Sequence, residues 1–405
     1  MKKLLLSVIL GMAAAMLVAS GAYALGIVTE SPDIKIVIDS NRKDIKNTPI
    51  IVDGRTMLPL REIAAQIGVT DDDEHIKWNP GQKTIYLADG DTVINLKIDD
   101  KTATINSEKV NLDVAPIIYA DRTYIPVRFV SQSFGREVVW DGSTKSVFIC
   151  EAEEYNKVRE ILDKSDAAMK ALKNGKMSFS MDMTAKGGEE TDNIGIIKFT
   201  INAQYDNEKM RAYTDTDMSM FSFMNLGYQT YMADNTVYTK SSLSDEWEKE
   251  TKSDEEFKSE FEKEKNTGIL DEKDTICAGL KIGESESPDE IVLTGDVVLK
   301  SIMDGMDSES GNEGMGFDAD SNFKFNMIIE KNTYYIKEIV MGFSGKLNDT
   351  EDEAEESLFS LDGFDAIVKC NFTDLNGTFE VVPPEGLDVT KAVEKSSYSY
   401  DGEDL

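Results

Sequence analysis

Along Met177–Met183 every second residue is apolar. Met177, Phe179, Met181 and Met183 alternate with Ser178, Ser180 and Asp182, which predicts a strand with one buried face. Ile197, Phe199 and Ile201 repeat the pattern. Tyr228–Ala233 and Thr236–Thr239 flank Asp234-Asn235, a hairpin signal. Further strands are expected at Ile291–Leu299, Phe323–Ile329, Tyr334–Phe343, Phe364–Phe372 and Thr378–Val382, with Asn376-Gly377 as a hairpin turn between the last two. Helical spacing is concentrated in one segment, where Tyr155, Val158, Ile161, Leu162, Ser165, Met169 and Leu172 make a narrow face that Asn174-Gly175 ends. Ser253 and Glu256 form a capping box ahead of a short helix carrying Phe257 and Phe261.

Upstream, a different pattern occurs twice. IIVDGRTMLPLREIAAQIG runs to Gly68, and IIYADRTYIPVRFVSQSFG runs from Ile117 to Gly135. Arg55, Thr56, Pro59, Arg61 and Gly68 recur as Arg122, Thr123, Pro126, Arg128 and Gly135, and Trp78 recurs as Trp140. Each copy reads as a hairpin, a short helix entered through a proline, a glycine stop and then strands. The fold class is therefore α+β: a small two-copy strand-helix-strand module, then a larger antiparallel half-barrel packed on helices. Equivalent positions in a repeat serve the repeated fold, so Arg55, Pro59, Arg61, Trp78, Arg122, Pro126, Arg128 and Trp140 are assigned structural roles.

The doubled pattern DGRT-x-x-P-x-R…G…W…K resembles the copper amine oxidase N-terminal-like domain over residues 34–150. That resemblance implies a non-catalytic, stalk-like surface module of the kind found in secreted proteins of Gram-positive bacteria. The opening helix, MSFSMDM, YMADNTVYTK followed by Trp247, EKNTYYIKEIVMGF and FEVVPPEGLD resemble the LolA-like lipoprotein-carrier superfamily over residues 153–393. This second resemblance implies an open half-barrel around helices with an apolar concavity. Its expected lining includes Met181, Met183, Phe199 and Met232, since methionine adapts to irregular apolar ligands.

Lys2 and Lys3 precede an apolar run to Ala19, and Ala22-Tyr23-Ala24 is a cleavage signal, so residues 1–24 are expected to be a signal peptide. The product is expected to be extracellular, without a transmembrane segment after cleavage and with residues 394–405 as a flexible tail. Charge is uneven: residues 27–150 carry 15 Lys/Arg against 19 Asp/Glu, and residues 151–405 carry 26 against 57. Such an excess of acid excludes nucleic acid as a natural partner, because affinity there requires neutralising phosphates.

One histidine, His75, cannot build a copper centre or a zinc-protease motif. Asp318-Ala-Asp320-Ser-Asn322 begins like a calcium loop, but Phe323 and Ile329 stand where glycine and glutamate are needed. Cys150, Cys277 and Cys370 are too few for a disulfide scaffold, although a Cys277–Cys370 bridge is open to the sequence. No catalytic residues, metal site or cofactor is expected. Two readings stay open. One is a secreted non-enzymatic envelope protein, whose stalk-like module associates with cell wall or an envelope protein and whose half-barrel binds a lipid or other hydrophobic small molecule or acts as a sensor. The other is a structural or adhesive wall component without a ligand.

Overall fold

The computed structural model describes residues 28–142, 144–187, 194–220, 224–265, 273–297, 324–345 and 361–395. The expected signal peptide, the Asp318–Asn322 motif and nearly all of the tail lie outside them. The chain divides into two compact units, residues 1–36 with 43–138 and residues 37–42 with 139–405.

In chain order the first strands are β1 (Val28–Glu30), β2 (Lys35–Ile38), β3 (Asn41–Lys43), β4 (Ile50–Val52) and β5 (Arg55–Pro59), followed by helix α1 (Leu60–Gln66). Next come β6 (Ile76–Asn79), β7 (Thr84–Asp89), β8 (Thr92–Lys97), β9 (Thr102–Ile105), β10 (Glu108–Asn111), β11 (Ile117–Tyr119), β12 (Arg122–Pro126) and α2 (Val127–Ser133). One sheet runs β1-β4-β5-β12-β11 and a second runs β10-β9-β8-β7-β6. The two copies of the repeat meet at β5 and β12, where Leu58 pairs with its own equivalent Ile125. Met57 pairs with Pro126 and Pro59 with Tyr124, so the register is a local two-fold.

Both hairpins use two consecutive positive φ angles, Asp53 and Gly54 in copy one and Ala120 and Asp121 in copy two. Such turns match the right-handed twist of the flanking strands. Pro59 and Pro126 are the extended residues that cap α1 and α2. After each helix a glycine takes the left-handed conformation, Gly68 at φ 96 and Gly135 at φ 76.

The second unit takes in β13 (Arg136–Asp141) from Val139 onward and β14 (Ser146–Glu151), then α3 (Ala152–Lys170), β15 (Asn174–Gly187), β16 (Ile194–Asp206), β17 (Arg211–Met220), β18 (Met224–Ala233), β19 (Thr236–Ser241) and β20 (Glu248–Thr251). It continues with α4 (Asp254–Lys265), α5 (Lys273–Gly279), β21 (Leu280–Ile282), β22 (Glu290–Asp296), β23 (Lys324–Glu330), β24 (Ile336–Gly345), β25 (Leu361–Thr373) and β26 (Val393–Glu394). Twelve strands form one sheet, ordered β21-β22-β23-β24-β25-β15-β16-β17-β18-β19-β20-β26. Its pairs are antiparallel except β20 with β26. This is the larger antiparallel half-barrel packed on helices, and with the repeat module it makes the chain α+β.

A four-stranded sheet runs β13-β14-β2-β3. Val37, Phe148 and Cys150 from it are buried in the second unit's main core, together with Val158 and Leu162 of α3 and Ile276 and Cys277 of α5. Backbone bonds fix this region. Asp39 N–H donates to Ile149 O at 2.9 Å, and Asp296 N–H donates to Ser40 O at 3.0 Å. Gly295 allows the approach, since a Cβ there would lie 2.7 Å from Ser40 Cβ. Compactness therefore divides the chain ahead of the repeat's last strand at Cys150.

The opening helix buries Tyr155, Val158, Leu162 and Ser165 as its spacing requires. The capping box forms: Ser253 N–H and Oγ both bond to Glu256 Oε2, at 3.0 and 2.7 Å. One expected strand does not form. Thr378–Val382 has no strand pairing, because β25 is already paired on both edges, with β15 and with β24. The segment instead buries Val381 against Tyr231 and Ala233. The three cysteines are buried free thiols, so the Cys277–Cys370 bridge is absent.

Candidate functional site

Antiparallel pairing places alternate residues of neighbouring strands side by side on one face. Across the twelve-stranded sheet this produces long apolar rows. One row joins Phe325, Met341, Val368, Met181, Phe199, Met218 and Leu226. The next joins Phe343, Ala366, Met183, Ile197, Met220 and Met224. From β22 to β15 these rows are sealed beneath α3 and α5, with Phe325, Met327, Ile339 and Val368 almost wholly buried. At the far end, Ala212, Met232 and Val237 lie under Phe257 and Phe261 of α4.

Between the two covers the rows continue over β16, β17 and β18. Phe199, Met218, Met220 and Leu226 are there only partly buried. Met224 and Tyr228 are each 46% exposed. This stretch is the candidate site: a contiguous apolar surface of adaptable side chains, open on one side. An exposed apolar patch on a defined sheet face is the ordinary mark of a binding surface. The opposite face carries Asp215 and Asp217, with Gln229 Nε2 donating to Asp215 at 3.2 Å.

Of the four residues expected to line a cavity, three are neighbours and one stands apart. Met181 and Met183 are inside the main core, and Phe199 packs at its rim. Met232 belongs to the separate cluster beneath α4. Met218, Met220, Leu226 and Tyr228 were absent from that set although they extend the same rows. The signal for them was available: Met218 and Met220 flank Ser219, and Leu226 and Tyr228 flank Gly227.

The repeat residues divide by copy. Arg55 Nε donates to Asp113 at 2.8 Å, and Arg61 pairs with Asp71. Arg122 and Arg128 are exposed and make no hydrogen bond or ion pair among the described residues. Pro59 and Pro126 are buried. Trp78 and Trp140, at equivalent positions, are 37% and 40% exposed. His75 Nδ1 lies 2.7 Å from Asp72, and this hydrogen bond holds the Asp72 carboxyl below its ordinary range.

A separate groove of about 390 Å³ lies at the start of α3, lined by residues that include Asp39, Cys150, Glu154, Lys157, Leu280 and Ile282. Its polar groups are engaged: Glu154 accepts from Ile282 N–H at 2.7 Å, and Lys157 pairs with Glu153. Among the described residues no helix is long and apolar enough to cross a membrane.

Residues 37–149 match the copper amine oxidase N-terminal domain, and residues 157–358 match a family of unknown function, DUF6612. Comparison with curated proteins finds no match. Among solved structures, the Mycobacterium tuberculosis lipoprotein LppX is similar at 11% identity, covering 56% of this chain and 99% of its own, with a TM-score of 0.30. A DUF1329 family protein from Desulfovibrio piger is similar at 8% identity, covering 59% and 99%, with a TM-score of 0.21. The chain thus carries a copper amine oxidase N-terminal domain followed by a DUF6612 domain.

Proposed function

We propose that this is an exported, non-enzymatic envelope protein whose second unit binds a hydrophobic small molecule or lipid on the open part of its sheet. The observation that carries the reading is the run of partly buried Met218, Met220 and Leu226 with exposed Met224 and Tyr228, between two helix-covered regions. Methionine, unbranched and polarisable, repacks around irregular apolar shapes. At roughly 0.8 kcal/mol per buried methylene, ten methylenes contribute about 8 kcal/mol gross before the entropic cost of association. The copper amine oxidase N-terminal domain is proposed to hold the protein at the cell surface, and a His-dependent mechanism could draw only on His75, a partly exposed side chain bonded to Asp72.

The test is Nile red fluorescence with the full chain. Enhanced, blue-shifted emission is expected from the folded protein, and its loss in Met218→Glu with unchanged thermal stability. Equal emission from that variant would move the ligand elsewhere or remove it. One observation favours the alternative of a wall component without a ligand: Met181 and Met183 are consumed by core packing. Under that reading Nile red emission is unaltered by the folded protein.

A further inference from the structure

Resting on the reading above, we infer that the bound molecule is an amphiphile with an uncharged, hydroxyl-rich head. Its chain would lie on the methionine rows, and its head on a ladder of threonines beside them. The ladder follows from register. Thr214 of β17 pairs with Thr230 of β18, and Thr230 pairs with Thr239 of β19. The three hydroxyls therefore stand in line across adjacent strands, at steps of roughly 4.8 Å. Thr216 and Tyr228 form the next rung toward the methionines. All five side chains are at least partly exposed, and their hydroxyls make no side-chain hydrogen bond among the described residues.

Charge selects the head. On this face the described residues of β15, β16, β17, β18 and β19 include no Asp, Glu, Lys or Arg; the acids and lysines of these strands alternate onto the other face. These five strands offer a carboxylate or phosphate head no cation on this face. Beyond Thr239 the rung reaches β20 at Glu248, an exposed carboxylate. Glu248 repels an anion further but can accept a hydrogen bond from a neutral hydroxyl. A hydroxyl both donates and accepts, as do the threonines, so a polyol matches this array at every rung. A sugar or glycerol head on an alkyl chain is the class this face fits.

The test compares three probes of equal chain length, titrated calorimetrically into the full chain below their micelle concentrations: dodecyl maltoside, dodecanoate and dodecyltrimethylammonium. Titrations at roughly 0.15 M and 1 M salt separate the site from the protein's overall negative field, since the screening length falls from about 8 to about 3 Å. Dodecyl maltoside is expected to bind about tenfold tighter than either ion at high salt, a difference of about 1.4 kcal/mol. In the triple variant Thr214→Val, Thr230→Val, Thr239→Val, which keeps the β-branched shape, that preference is expected to vanish while dodecanoate affinity is unchanged. Equal or tighter binding of either ion at high salt overturns the neutral head and leaves the hydrophobic-ligand reading standing. A maltoside preference that survives the triple variant overturns the threonine ladder. Binding of none of the three overturns both this inference and the function it rests on.

Discussion

The same sheet face is built alike at β23–β15 and at β16–β18, yet only the first is closed. Both stretches alternate Met, Phe, Ile and Leu with polar residues, and their rows are continuous in register. Over the first, α3 and α5 supply Val158, Leu162 and Ile276 to fill the space. Over the second, the short α4 covers Ala212, Met232 and Val237, with Tyr205 packed against them, and leaves the methionine rows partly open. Alternation specifies that a face is apolar. Whether it becomes core or binding surface depends on how much helix is available to cover it.

The largest effect should come from removing what closes the covered stretch. A chain beginning at Glu153 lacks Val37, Phe148 and Cys150, all members of that core, and the Ser40 carbonyl that receives Asp296 N–H. We expect this fragment to lack a cooperative thermal transition. A chain beginning at Val28 should keep one. A sharp transition in the shorter fragment would mean that α3 and α5 alone close the sheet.

Phe325→Ala comes next. Its ring is fully buried in the covered stretch, and deleting such a side chain leaves a cavity costing about 3–5 kcal/mol. Urea denaturation measures it. A loss below about 1 kcal/mol would show that the covered stretch is as loosely packed as the open one.

The covered stretch should also be the alkali-sensitive one. Burial pushes the Cys277 and Cys370 thiols from 9.0 to about 12. In the unfolded chain these thiols ionise near their ordinary value, whereas the folded core disfavours thiolate. Their contribution is therefore complete below about pH 9 and is lost as pH rises from about 9 through about 12. The double variant Cys277→Ala, Cys370→Ala is expected to be less stable at neutral pH but to show a flatter decline above pH 9. An unchanged slope would assign the decline to the tyrosines, among them Tyr205, which burial also pushes to about 12.

Local signals were readable where local chemistry decides the outcome. Asp53-Gly54, Pro59, Gly68 and the Ser253–Glu256 box each formed the structure their residue types require. Signals that depend on distant strands were not readable. Thr378–Val382 looks like a hairpin partner, but β15, nearly two hundred residues earlier, occupies the edge of β25 it would need. Met232 shares its alternation with Met181, yet a different helix covers it. The threonine ladder exists only through register across three strands, so no single strand displays it. One overlooked clue was local. In copy two Val147-Phe148-Ile149-Cys150 has a wholly apolar Phe148 where copy one's Ile85-Tyr86-Leu87-Ala88 has Tyr86, whose hydroxyl favours a partly exposed place. A strand buried on both faces reads as a continuous apolar run. Accordingly, β14 is buried from Ser146 to Cys150, while β7 alternates.

The smallest structural effect belongs to the open stretch, and it tests the comparison most directly. Leu226 is only partly buried and packs beside Met218 at the margin of the sheet face. Leu226→Ala removes a side chain that is already partly solvated, so the cavity term that dominates at Phe325 is smaller here. The cost should be about 1 kcal/mol, near the centre of the range for single substitutions and well below that of Phe325→Ala. Nile red affinity, in contrast, should fall severalfold, because the same methylenes that contribute little to the fold would contact the ligand. Phe325→Ala should show the reverse at a temperature where it stays folded: large destabilisation with nearly normal dye affinity. If Leu226→Ala destabilises as strongly as Phe325→Ala and leaves dye binding unchanged, the open stretch is core that another part of the chain covers, and the division of this sheet into a sealed and a binding half fails.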